Sequence, residues 1–159
     1  HEGHTVTAVQ IIDEKMEQNK SAHFGEVSNE LKEGFEYQLF DLTNAARAKH
    51  GLSTLQWKAP LRQTARDHSE DMAVNNYFSH TGLDGRSPFE RMEQDGITFR
   101  IAGENLAAGQ PSSIFAHQGL MNSLGHRENI LKDEFNHLAV GVAFNDDAQP
   151  FYTEKFITQ

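Results

Sequence analysis

The chain contains no cysteine. Disulfide bridges, thiolate metal sites and a cysteine nucleophile are excluded at once, so packing alone must hold the fold. Basic residues are scarce: 14 Lys and Arg stand against 23 Asp and Glu, a formal net charge of −9. Charge of that sign repels phosphate backbones and disfavours docking on anionic lipid, which argues against nucleic acid as a partner. No apolar run approaches the ~18–20 residues of a membrane span, so no transmembrane segment is expected. Proline is also sparse, with four residues. Three of them, Pro60, Pro88 and Pro111, stand where helices are expected to begin. No internal repeat and no low-complexity tract is present. The missing cysteines do not fix the compartment, because a secreted protein that never relied on bridges reads the same way.

What is present is an ordinary globular composition, 37% hydrophobic and 23% charged over 159 residues. That length suits one domain plus a short addition. Residues 1–33 stand apart. Thr5 to Ile12 is β-branched enough for one strand, and a polar run from Asp13 to Glu33 is closed by Gly34. A single strand cannot bury its own apolar face, so this segment reads as an arm, or as the remnant of an upstream module. The main domain is expected over 34–159. Phe35, Leu39, Leu42 and Ala46 recur at helical spacing, with Gly51 as the stop. A second helix is expected from about Pro60 to Asn76, burying Leu61, Ala65, Met72 and Ala73. Ser87-Pro88-Phe89-Glu90 has the form of a capping box and opens a third. A strand is expected from Phe99 to Ala107, and a fourth helix from Pro111 to about Ser123. His137–Phe144 and Phe151–Ile157, joined by Asn145-Asp146-Asp147-Ala148, predict a hairpin. Helices flanking a small antiparallel sheet make this an α/β protein, an α-β-α sandwich.

Nine histidines are the main chemical signal. His80 ends Tyr77-Phe78-Ser79-His80 just past the second helix, and His126 follows Gly125 just past the fourth. Both lie at element ends, where side chains reach a cleft. Two imidazoles and a carboxylate suit a divalent metal such as zinc with an open position, but a separation of about 46 residues forms no local metal motif. A satisfied structural role is the alternative for each, and it is the expected one for His68 within helix two. Glu104 interrupts the apolar stretch Ile101-Ala102-Gly103-Glu104-Asn105-Leu106-Ala107. A carboxylate there needs a partner: either a structural ion pair, or a groove imidazole or metal that it orients. Ser123, His126 and Glu104 can be drawn as nucleophile, base and acid, although no G-x-S-x-G elbow supports them. Arg127 is placed to cap carbonyls at the end of the fourth helix, and Tyr77 and Phe78 to wall the groove.

The motifs HSEDM, NNYFSH, GRSPFERM, AGENLAAG, LMNSLGHRENIL, HLAVGVAF and YTEKF follow one another in that order. The chain thereby resembles the CAP superfamily (cysteine-rich secretory proteins, antigen 5, pathogenesis-related 1) in its bacterial SCP-like branch, from about Phe35 to Ile157. The first 33 residues resemble the end of a CAP-associated N-terminal module. The resemblance implies a central groove with two His and two Glu. The first His falls on His80, the first Glu on Glu104 and the second His on His126, while Ser123 stands at the place of the second Glu. It also implies secretion or attachment to the cell envelope, and a divalent metal, zinc first, held by His80 and His126. Such binding weakens as pH falls toward about 6.5, because the ligand imidazole must be neutral. Three functions follow as expectations. The first is a non-catalytic groove for a metal or a small ligand, whether lipid, peptide or envelope glycan. The second is a metal- or Ser-dependent hydrolase with Glu104 as base, the catalytic candidates being His80, Glu104, Ser123 and His126. The third is a structural interaction module.

Overall fold

The computed structural model describes residues 13–19 and 26–159. The expected strand at Thr5–Ile12 and the terminal His1 and His4 lie outside the described residues. Among the described residues, six helices and four strands follow in the order α1 (Glu14–Asn19), α2 (Asn29–Lys49), β1 (Gln56–Trp57), α3 (Ala59–Asn75), α4 (Pro88–Gln94), β2 (Ile101–Ala108), α5 (Ser113–Asn122), α6 (Leu124–Ile130), β3 (His137–Phe144) and β4 (Pro150–Thr158).

The sheet order is β1-β3-β4-β2, with β1 parallel to β3 and the other pairs antiparallel. Side chains alternate across a strand, and the two faces bury different helices. Val140, Val142, Tyr152 and Phe156 point to one face and pack with Phe35 and Leu39 of α2, Leu120 of α5 and Ile130 of α6. Ala139 and Ile157 point to the other, against Leu61 of α3 and Met92 of α4. Met72 and Ala73 of α3 meet Leu106, Ala143 and Phe151 on that same face. The architecture is the α-β-α sandwich expected from the sequence, and β4, covered on both faces, is buried along its whole length.

The local signals act as their chemistry dictates. Ser87 accepts from the Glu90 amide while Glu90 returns a bond to the Ser87 amide, completing the capping box of α4. Gly141 lets α3 lie directly on β3: a Cβ there would sit 2.2 Å from the Arg66 amide nitrogen and 2.3 Å from the Ala65 carbonyl carbon. Two helix boundaries differ from expectation. The first long helix begins at Asn29, because Ser28 caps it by accepting from the Leu31 amide at 3.1 Å, and it runs on through Gly34. The segment after Ser123, for which no element was expected, forms α6. Its carboxyl end is held by the buried guanidinium of Arg47, which donates to the Ile130 and Lys132 carbonyls at 2.9 and 2.7 Å.

Candidate functional site

Strand β2 is an edge strand, and consecutive residues on it face opposite helical layers. Glu104 shares its face with Leu106, toward α3 and α4, while Asn105 faces α5 and α6. Residues reaching round this edge from both layers can therefore converge, although they are far apart in sequence.

His80 arrives from the α3 side. Asn76 ends α3 in the left-handed conformation, φ 51°. The buried His68 of α3 then bonds the Ser79 carbonyl through Nε2 at 3.0 Å. A carbonyl only accepts, so that nitrogen carries the proton. Burial lowers the His68 pKa to about 4, which keeps it a neutral donor. The loop so fixed places the His80 Nδ1 2.8 Å from Glu104 Oε1. Facing a carboxylate, Nδ1 is the donor, and Nε2 is left as the free nitrogen of a side chain that is 54% exposed.

Glu104 is itself buried. Register sets it opposite Lys155 on β4. Lys155 Nζ donates to Oε2 at 2.6 Å, and Arg91 Nη2 of α4 donates to the same oxygen at 3.1 Å. Burial alone would raise the Glu104 pKa, but the His80 hydrogen bond and the Lys155 charge outweigh it and hold it at about 2. All of its partners are donors, so it serves as the fixed acceptor that orients His80.

His126 arrives from the other layer, on α6, whose N-cap is Ser123. Asn105 Nδ2 donates to the His126 carbonyl at 3.1 Å, and Asn129 Nδ2 donates to the Glu104 carbonyl at 3.2 Å, tying α6 to β2. Burial lowers the His126 pKa, and the nearby His80 lowers it further. Its Nδ1 is buried without a hydrogen-bond partner among the described residues. Ser123 and His126 line one cleft of about 220 Å³ together with Phe78. No hydrogen bond joins the Ser123 hydroxyl to His126 or Glu104 among the described residues. The structure thus links His80 directly to Glu104, and leaves His126 and Ser123 in the wall of a cleft whose lining includes neither His80 nor Glu104. Arg127 caps α5 through the Met121 carbonyl at 2.7 Å, as expected.

Beneath the site lies a network that the sequence reading missed. Glu154 of β4 is completely buried, with no cation paired to it among the described residues. It accepts from Thr43 Oγ1 at 2.8 Å and from Asn105 Nδ2 at 3.0 Å, and burial pushes its pKa up to about 7. The alternation of β4 was the available signal, since it puts Glu154 and Lys155 on opposite faces of a strand otherwise read as apolar.

The pattern of the cysteine-rich secretory protein family (CAP) matches residues 40–156. The chain belongs to this family. The CAP domain is 43% identical over 122 residues to the uncharacterized membrane protein YlbC of Bacillus subtilis, covering 77% of this chain and 34% of that protein. It is 41% identical over 123 residues to the uncharacterized protein YkwD of the same organism, covering 77% and 47%. The chain therefore spans about a third to a half of the length of these curated relatives. An SCP-domain extracellular protein of Bacillus anthracis superposes with a TM-score of 0.76 at 37% identity, over 85% of this chain and 45% of that one. NaASP2, whose crystal structure contains Zn2+, shares the fold at a TM-score of 0.51 and 14% identity, over 81% of this chain and 80% of that one. Among the described residues of this CAP domain, no helix is long and apolar enough to cross a membrane, and no group of three or more His, Asp or Glu is disposed to hold a metal ion.

Proposed function

We propose that this CAP domain is an extracellular or envelope-associated binding module. Its groove at the β2 edge takes a small ligand, and a divalent metal through the imidazoles of His80 and His126. The observation that carries this reading is the fixed orientation of His80: Glu104 consumes Nδ1 and presents Nε2 outward. The donors this reading assigns to a metal are the imidazoles of His80 and His126. Glu104 is not a third, because His80, Arg91 and Lys155 occupy its oxygens. Two protein donors leave the remaining positions to water or to the ligand. When bound, zinc would supply a positive charge and open positions for a ligand oxygen; His80 and His126 hold it, and Glu104 keeps His80 in the right tautomer. The extracellular description of the Bacillus anthracis relative and the Zn2+ in NaASP2 agree with this reading. Of the expected arm at 1–33, residues 29–33 belong to α2, and the remainder is proposed as the end of an upstream module.

Hydrolysis is less well supported. A general base works best with a pKa near the operating pH, and Glu104 is held at about 2. Zinc titration by calorimetry tests the proposal. Wild type is expected to bind one equivalent, His80→Ala and His126→Ala each to bind it at least about tenfold more weakly, and the double variant not at all. Equal binding by the double variant would remove the metal from the groove.

A further inference from the structure

The carboxyl of Glu154 is the centre of a buried hydrogen-bonded chain. Its side chain shares a face with Tyr152 and Phe156, toward the layer of α2, α5 and α6. One oxygen meets Thr43 Oγ1 at 2.8 Å, and the other accepts from Asn105 Nδ2 at 3.0 Å. The same Asn105 nitrogen donates to the His126 carbonyl at 3.1 Å, and Asn105 Oδ1 accepts from Asn129 Nδ2 at 2.9 Å. Glu154 is therefore one residue away from both asparagine ties that seat α6 on β2. A threonine hydroxyl donates or accepts, so the same partners serve the neutral acid and the anion. What differs between the two states is a charge in the core.

Nothing on the surrounding elements neutralises that charge among the described residues. On α2 the inward-turned charged groups are Glu36 and Arg47. Arg62 and Arg66 occupy Glu36, and backbone carbonyls occupy Arg47. Helix α5 carries His117, and α6 carries His126, Arg127 and Glu128. On the sheet, Tyr152 shares the face of Glu154, β3 presents Leu138, Val140 and Val142, and the Glu104–Lys155 pair lies on the other side. None of these bonds to Glu154, and burial raises its pKa to about 7 against its two hydrogen bonds.

The element that yields most easily to such a charge is α6. One of its seven residues, Ile130, is buried, against five on α2 and four on α5. It also has no side-chain cap at its N-terminus. Local opening follows the path that breaks the fewest apolar contacts, and an ionised carboxylate in the core gains most from the water admitted.

We propose that Glu154 is a proton-operated latch on α6. With its proton, α6 stays seated on β2 through Asn105 and Asn129. Without it, α6 lifts to admit water to the carboxylate, and the wall formed by Ser123 and His126 in the cleft of about 220 Å³ opens. The sign follows from the two states of Glu154: about 7 when seated and 4.5, the ordinary value, when exposed to water. Opening therefore becomes more favourable as pH rises from 4.5 to about 7 and levels off above. The latch does not depend on a metal or ligand being bound.

Amide hydrogen exchange of the full chain, followed by nuclear magnetic resonance with chelator present, tests this. Protection of residues 127–131, corrected for the intrinsic exchange rate, is compared between wild type and Glu154→Gln, whose neutral amide mimics the protonated acid. From about pH 5 to 6.5 the ratio of wild-type to variant protection should fall by up to about twentyfold. His126 gives the opposite trend, since burial lowers its pKa, but both proteins contain it and it cancels in the ratio. A ratio that stays constant over this range overturns the latch. So does an equal fall at the amides of β4, which would mean global rather than local opening. The melting temperature checks that the variant folds. Wild type alone provides a second measurement, the pH titration of the Glu154 carboxyl carbon. A midpoint near 7, shared by the α6 amide shifts, is expected. A midpoint at the ordinary 4.5, or α6 shifts that do not follow it, overturns the proposal.

Discussion

Two buried carboxylates, Glu104 and Glu154, lie on neighbouring strands yet face opposite layers. Glu104 meets Lys155, Arg91 and His80; Glu154 meets the neutral Thr43 and Asn105. The same side chain is held ionised in one place and pushed toward protonation in the other, because the charge of its neighbours outweighs burial only at Glu104. Lys155 is wholly buried, and removing one member of a buried pair strands the other. Lys155→Met is accordingly expected to cost about 3–5 kcal/mol in urea denaturation, and Glu104→Gln a similar amount. The combined variant Glu104→Leu, Lys155→Met should recover most of that loss, as a hydrophobic replacement of an ion pair often does. A loss below about 1 kcal/mol for Lys155→Met, the range of an exposed pair, would show the pair to be solvated.

At the scale of elements, the site depends on how helices are seated on the sheet. Gly141 allows α3 to touch β3, which sets where the loop after α3 delivers His80. Gly141→Ala is expected to destabilise by at least the roughly 1–3 kcal/mol typical of an overpacked core, since its Cβ meets backbone that cannot rotate aside. Thermal denaturation measures this, and an unchanged melting temperature would contradict the close approach. On the opposite layer, Ser123 closes α5 and starts α6 within one residue. That break turns His126 toward the β2 edge, and Asn105 and Asn129 lock the helix there.

Across the whole molecule, buried titratable groups set the response to acid. His68 is buried and His117 half-buried, both neutral, and desolvation lowers each from 6.5 to about 4. Between those values the unfolded chain takes up protons that the folded chain refuses, so stability falls as pH falls. Glu154 acts in the reverse sense. Its folded pKa is raised from 4.5 to about 7, so within that window the folded state holds a proton that the unfolded state has released, and stability rises as pH falls. Near pH 5–6.5 it offsets roughly one of the two histidine protons. Glu154→Gln is therefore expected to lose stability more steeply over that range than wild type, by up to about 1.4 kcal/mol per pH unit. Urea denaturation at pH 5.0, 5.75 and 6.5, within that window, measures the slope, and parallel slopes would show that Glu154 does not hold the proton.

The ordered motifs were enough to name the family and the sandwich, because capping residues, apolar spacing and the final hairpin are local signals. Ser87-Pro88-Phe89-Glu90 and His137–Phe144 fold as their own sequences dictate. His80, Glu104 and His126 were legible as candidates through the same motifs, and the need of Glu104 for a partner followed from its apolar surroundings. The identity of that partner did not. Lys155 reaches Glu104 only through the β2–β4 register, 51 residues apart in the chain. Glu36, beside Phe35 on the first long helix and given no role by the sequence, is the buried acceptor of Arg62 and Arg66. Sequence patterning reports which face of an element is apolar, since that depends on neighbours along the chain. Which charge meets which, and whether a carboxylate in the core keeps its proton, depends on neighbours across the sheet, and only the assembled layers decide it.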